Sequence, residues 1–162
     1  GYSAVKGFFK QYELFYVVAD ERDVIRLRTN YRTEVPEDVY LYRTQGGKEE
    51  IRRVFLDYLR EINALAERPS WYDTLTTNCT TAIMTHLRVN PGHAPMSWKV
   101  LLSGYAPLYA WERGALDTRL PFEELKARSH INEAARAADA SPEFSRLIRV
   151  GRPLVDGPGA HP

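Results

Sequence analysis

The single cysteine of this chain, Cys79, lies in the stretch TTNCTTAI and directly follows Asn78 at the predicted start of a helix. A thiol at a helix N-terminus faces backbone N–H groups and the positive end of the helix dipole, and both favour the thiolate. The same N–H groups stabilise an oxyanion when the thiolate attacks a carbonyl. The pattern therefore predicts a cysteine nucleophile, with Asn78 and Thr80 at the oxyanion site or the helix cap. The alternative is that Cys79 is a small buried residue without a chemical role.

A nucleophilic cysteine requires a general base, and the chain has four histidines. His86 lies seven residues after Cys79 on the same predicted helix, about 10 Å along its axis, which excludes it as the base. His93 lies in a Pro/Gly loop and His161 in the C-terminal tail. His130, in ARSHINEA, is therefore the candidate catalytic histidine. Its alternative role is that of a surface or capping residue of a helix.

Two predicted helices position Cys79. Residues 48–67 carry apolar side chains at helical spacing between charged residues, and Pro69 ends the helix. The next helix runs from about Cys79 to Arg88, with Asn78 or Thr77 as its cap.

The remaining elements predict an α+β fold. Residues 12–19 and 37–44 have the composition of strands, and the C-terminal half reads as helical. We expect a partial antiparallel sheet to pack on the Cys-bearing helix. Because two strands do not make a stable sheet by themselves, further strands are expected elsewhere.

Composition narrows the class of protein. The 162 residues are 44% hydrophobic and 27% charged, which is typical of a globular domain. A formal net charge of +1 gives no basic field for nucleic acid, and one cysteine excludes an internal disulfide and a cysteine-rich zinc site. No apolar run is long enough to span a membrane, and no signal peptide is present, so the chain is expected to start within a longer protein. We expect one domain over residues 1–153, a disordered tail over 154–162, and no metal or cofactor.

The stretch WYDTLTTNCTTAIMTHLR, preceded by a long amphipathic helix, resembles the family called the Lnb N-terminal periplasmic domain. The segments GYSAVKGFF, VYLYR, WKVLLSGYAPLYAWERGALDT, PFEELKARSHIN and FSRLIRVGRP resemble the same family in the same order. The resemblance covers residues 1 to about 153.

The resemblance implies a circularly permuted papain-like fold of the NlpC type and a periplasmic or cell-envelope location. It implies acyl transfer on lipoprotein or lipid substrates through a thioester at Cys79, with membrane contact through parts absent from this chain. The histidine of the family is expected upstream of Gly1, so the domain is expected to lack its N-terminal part, and the role of His130 stays open. A non-catalytic periplasmic binding module and a peptidoglycan-directed cysteine amidase or peptidase are the alternatives.

An acyl chain requires an apolar channel beside the nucleophile. The candidate lining residues are aromatic: Trp71, Tyr72, Tyr105 and Trp111. Packing in the core is the alternative use of these four side chains.

Overall fold

The computed structural model describes residues 9, 11–32, 34, 37–73, 76 and 78–153. The predicted tail at 154–162 and the alternative cap Thr77 lie outside the described residues. The helices in chain order are α1 (Glu21–Arg26), α2 (Lys48–Glu67), α3 (Cys79–Leu87), α4 (Trp98–Leu101), α5 (Ala106–Glu112), α6 (Phe122–Ser129), α7 (Asn132–Ala137) and α8 (Phe144–Leu147). A π-helical turn, Leu27–Tyr31, follows α1, and a 3-10 turn, Ser103–Tyr105, precedes α5.

The prediction of an α+β fold with an antiparallel sheet packed on the Cys-bearing helix is wrong. Helices make up 52% of the residues that the structure describes, and these residues contain no strand. The two segments predicted as strands make only isolated antiparallel bridges, Glu13 to Trp71 and Tyr40 to His130. Each bridge joins an extended segment to a short connection beside a helix end, where no neighbouring strand continues the ladder. Among the residues that suggested a buried strand, Phe15, at 74%, and the two valines after Tyr16 are exposed, whereas Tyr12 and Tyr16 are half-buried.

The chain divides into two compact units. Unit 1 comprises residues 1–17 and 46–113, and unit 2 comprises residues 18–45 and 114–162. The assignment of residues 1–153 to a single domain stays a prediction.

The long helix α2 confirms the predicted range 48–67 and belongs to unit 1. The Glu50 side chain accepts a hydrogen bond from the Gly47 N–H at 3.0 Å, which satisfies a backbone donor at the helix start. Arg68 and Pro69 follow the last helical residue. Within the predicted apolar face, Val54, Tyr58, Ile62 and Leu65 are half-buried, whereas Ile51, Phe55 and Leu59 are exposed.

The helix α3 confirms the predicted helix at Cys79 and packs against α2 and α4. Its buried side chains include Thr81, Met84 and His86, so much of its core-facing surface is polar. The helix α4 packs in turn on α5 and buries Val100.

Unit 2 has the larger apolar core. Ile131, Ala135, Ala138, Phe144 and Ile148 form its centre, and half-buried aliphatic side chains from the first segment of the unit pack against them, among them those of Ile25, Val39 and Leu41. The contacts therefore join α1 and the extended segment at 37–41 to α7 and α8.

Polar groups fix the same elements of unit 2. The buried Asn132 donates to the Glu37 carbonyl at 2.7 Å and accepts from the Val39 N–H at 2.8 Å. Asp139 accepts from Arg26 Nε at 2.8 Å and from the Tyr31 hydroxyl at 2.7 Å. The extended segment and the π-helical turn are thus tied to α7 and to the turn that follows it.

Candidate functional site

Cys79 is the first residue of α3, and its side chain is exposed. The preceding residue, Asn78, has extended backbone angles and is the N-cap of the helix. Its side-chain oxygen accepts from the Thr80 N–H at 2.9 Å and from the Thr81 N–H at 2.8 Å. The structure therefore presents the thiol at the positive end of a nine-residue helix.

The backbone donors around Cys79 are not equally available. The N–H groups of Thr80 and Thr81 are held by the Asn78 side chain, and the Ala82 N–H donates to the Asn78 carbonyl at 3.0 Å. Within the described part of the chain, the N–H of Cys79 itself has no hydrogen-bond partner. It is the first-turn donor that an oxyanion formed at the Cys79 sulfur would meet without displacing the cap.

A threonine hydroxyl lies beside the thiol. The sulfur of Cys79 lies 3.8 Å from Thr80 Oγ1. A hydroxyl at this distance is a weak partner for sulfur and does not act as a base at neutral pH.

His86 lies on the same helix and is only 2% exposed. Its Nδ1 is 2.9 Å from Asp57 Oδ2, and its Nε2 is 3.0 Å from the Tyr16 hydroxyl. The Tyr58 ring lies against the imidazole with centroids 3.7 Å apart. Both nitrogens are satisfied when Nδ1–H donates to Asp57 and the Tyr16 hydroxyl donates to Nε2. The imidazole is therefore committed to a network inside unit 1, in keeping with its exclusion as the base.

The two tyrosines of this network have raised pKa values. Burial raises the pKa of Tyr16, and the nearby carboxylates of Glu61 and Asp57 raise it further. Burial also raises the pKa of Tyr58. Both phenols consequently stay protonated at neutral pH, and Tyr16 keeps the hydrogen that it donates to His86.

A cavity of about 140 Å³ adjoins this network in unit 1. Its wall includes Asp57, Glu61, Ala82 and His86, so it is acidic on the α2 side. Ala82 and His86 follow Cys79 at three and seven residues along α3, which places all three on the same side of the helix.

His130 belongs to unit 2 and directly follows α6. Its Nε2 lies 3.0 Å from Asp38 Oδ1, and its ring centroid is 5.3 Å from that of Tyr40. A carboxylate in this position orients an imidazole. A cavity of about 360 Å³, whose wall includes Glu123 and Lys126, opens beside the pair. Cys79 lies in unit 1, and pairing of His130 with it stays a prediction.

The four aromatic residues predicted to line an acyl channel all lie in unit 1. Trp71 is exposed and forms the backbone bridge to Glu13, and Tyr72 beside it is half-buried. Tyr105 is exposed and packs at 5.3 Å on Trp98, and Trp111 is half-buried on α5. None of the four lines the cavity beside His86. Their role in a channel stays a prediction.

A comparison with models of protein families matches residues 1–104 to the Lnb N-terminal periplasmic domain. The chain belongs to the Lnb N-terminal periplasmic domain family. The matched part of this Lnb-type chain contains Asn78, Cys79, Thr80 and the His86 network, whereas Tyr105, Trp111 and His130 lie beyond it. A search of curated proteins and a search of solved structures found no match. Membership indicates a periplasmic or cell-envelope context connected with lipoprotein processing.

Within the ranges that the structure describes, no helix is long and apolar enough to cross a membrane. No group of three or more His, Cys, Asp or Glu side chains in the same ranges is placed to hold a metal ion.

Sequence reasoning missed the Tyr16–His86–Asp57 network. The partners of His86 stand 29 and 70 residues away, and no local pattern joins them. In the sequence, Asp57 is one of the charged residues between the apolar positions of α2, so its spacing gave no sign of a buried partner.

Proposed function

We propose that this chain is a cell-envelope domain that transfers acyl groups through a thioester at Cys79. The observation that carries the proposal is the exposed thiol at the first position of α3, behind the Asn78 cap. The family context, connected with lipoprotein processing, supports an ester-linked acyl group as the substrate.

The reaction proceeds in two steps, acylation of the Cys79 thiol and transfer of the acyl group to an amine or to water. The Cys79 thiolate attacks the carbonyl carbon of the acyl ester, and a new S–C bond forms while the carbonyl oxygen takes the negative charge. The Cys79 N–H, which the Asn78 cap leaves free, is available to stabilise that charge. The oxyanion collapses, the C–O bond of the ester breaks, and the alcohol leaves with the proton that the base took from the thiol. An amine or water then attacks the thioester and forms a new N–C or O–C bond while the base takes its proton, the S–C bond breaks, and the thiolate is restored.

The first test measures the reactivity of the thiol. Attraction of a negative charge to a helix N-terminus amounts to about 0.3–1 kcal/mol, which corresponds to a factor of about two to five in a rate or an equilibrium. We therefore expect Cys79 to react with iodoacetamide at pH 7 about twofold to fivefold faster than a matched thiol within the same helix. Mass spectrometry of the alkylated chain gives both rates.

The matched control is the double variant Cys79→Ser, Ile83→Cys. Ile83 is 48% exposed and lies one turn further along α3, away from the free N–H groups. Equal alkylation rates for Cys79 and for the thiol at position 83 would refute activation by the helix start.

The second test looks for the covalent intermediate. A p-nitrophenyl ester of a long-chain fatty acid serves as the acyl donor, and we expect an acyl adduct on Cys79 that hydroxylamine removes at neutral pH. The Cys79→Ser variant should carry no adduct that hydroxylamine removes under these conditions. A chain that forms no adduct and instead cleaves muropeptides would support a peptidoglycan-directed enzyme.

A further inference from the structure

A second pocket, remote in sequence from Cys79, lies within unit 2. Its volume is about 230 Å³, and its wall includes three arginines, two asparagines and one glutamate: Arg28, Asn30, Arg32, Glu37, Asn132 and Arg136. The wall therefore consists mainly of hydrogen-bond donors.

The charges in this pocket do not balance. Glu37 accepts from Arg28 Nη1 at 2.7 Å with one oxygen and from Arg32 Nη1 with the other. Arg136 is exposed and has no ion-pair partner among the residues that the structure describes. The pocket wall thus carries three guanidinium groups and one carboxylate, which gives it a formal charge of +2. Guanidinium groups bind carboxylate and phosphate oxygens through a planar fork of N–H donors.

The backbone at this pocket is also unusual. Arg28 and Asn30 lie on the π-helical turn Leu27–Tyr31, and short π-helical turns are rare and frequent at functional sites. The Asn30 amide nitrogen is held by the Ala135 carbonyl at 3.2 Å and by Asp139 at 2.6 Å. Its amide oxygen is buried and has no partner within the described structure. An unpaired buried acceptor indicates that this turn is not arranged for stability alone.

We propose that this pocket binds a phosphate group, with Arg136 as the free donor and Glu37 accepting a hydrogen bond from a phosphate O–H. The negative charge of the phosphate neutralises the positive charge of the arginines that Glu37 alone does not balance. The site is separate from the thiol chemistry of unit 1, and neither depends on the other.

The ionisation state of Glu37 fits its role as a hydrogen-bond acceptor. Its hydrogen bond from Arg28 holds the pKa of this carboxyl below its usual range, so it stays ionised at neutral pH. An ionised carboxylate among arginines accepts from an anion that carries a proton and repels one that carries none. Inorganic phosphate carries such a proton throughout the neutral range, and a phosphomonoester carries one below its second pKa of about 6, whereas sulfate carries none.

The volume of the pocket limits the size of the group that it can enclose. Pockets for drug-sized molecules measure about 300–1,000 Å³, so the space inside this smaller pocket suits a phosphate with a small substituent. Free phosphate and the headgroup of a phosphomonoester lipid share this chemistry.

Calorimetric titration of the 162-residue chain with inorganic phosphate at pH 6 tests the site. We expect tighter binding of phosphate than of sulfate at the same ionic strength. Arg136→Gln should weaken phosphate binding about tenfold, the loss expected for one charge-assisted hydrogen bond. Arg43→Gln is the matched control, because Arg43 is an exposed arginine of the same unit outside the pocket. It should leave the affinity unchanged.

Vesicles separate the two sources of phosphate. Binding to phosphatidylcholine vesicles that contain phosphatidic acid, lost with Arg136→Gln, identifies a lipid headgroup as the ligand, whereas binding of inorganic phosphate alone identifies the free anion. Absence of binding in both experiments would overturn the proposal. It would also be overturned if Arg136→Gln and Arg43→Gln had the same effect. Equal affinity for sulfate and phosphate would overturn the acceptor role of Glu37.

Discussion

The N-cap of α3 permits a quantitative prediction. Asn78→Ala removes the oxygen that accepts from the N–H groups of Thr80 and Thr81, which belong to buried residues. Replacing an N-cap asparagine by alanine costs about 0.5–2 kcal/mol, and two buried donors left without a partner place this site at the upper end. We expect a loss of about 2 kcal/mol in the free energy of unfolding. For a chain of this length, that loss lowers the thermal midpoint by about 4–8 °C.

Thermal unfolding followed by circular dichroism measures this loss, and two variants serve as controls. Asn78→Asp keeps an acceptor at the same position and should stay close to the parent chain, because asparagine and aspartate cap helices about equally well. Asn63→Ala changes an exposed asparagine within α2 and should shift the midpoint by little. A midpoint for Asn78→Ala within about 1 °C of the parent chain would refute the assigned cap.

Two further predictions concern buried and acid-sensitive contacts. His86→Leu removes the partner of both the Tyr16 hydroxyl and Asp57, so urea unfolding should show a loss of about 2–3 kcal/mol; an unchanged midpoint would contradict the network. Hydrogen bonds from Arg26, Tyr31 and Asn30 lower the pKa of Asp139 from 3.8 to about 2. The stability that this depressed pKa contributes is present above about pH 4 and is lost towards pH 2. Asp139→Asn should therefore make the thermal midpoint less sensitive to pH over that window, and an unchanged slope would refute the assignment.

The helices around Cys79 were predictable because their signals are local. In α2, the apolar spacing, the glutamates of the first turn and Pro69 agree on one range. At α3, an asparagine before a short apolar run is sufficient to locate the start.

The prediction of a sheet was wrong because strand propensity describes one segment and not the strand with which it would have to pair. Residues 12–19 have the composition of a strand, but their backbone meets only the short connection at Ser70–Tyr72. Pairing is a non-local property, and no pattern within the segment reports whether a second strand exists.

For the candidate site, too, the local features were predictable and the contacts between distant residues were not. The position of Cys79 at a helix start follows from its immediate neighbours, whereas the contacts of His86 and His130 depend on residues 29 to 92 positions away. The arginines of the unit 2 pocket converge only because the π-helical turn and α7 meet across more than 100 residues.

The chain passes from one unit to the other three times, and this order of segments determines which fragments of the protein can fold. A cut after residue 104, where the family match ends, would leave residues 18–45 without the segment that carries Ile131, Phe144 and Ile148. Ile25, Val39 and Leu41 would then lose the surface on which they pack. Limited proteolysis in the second half of the chain should for this reason destabilise a segment that lies a hundred residues upstream. The family boundary and the folding boundary of this protein fall at different places in the sequence.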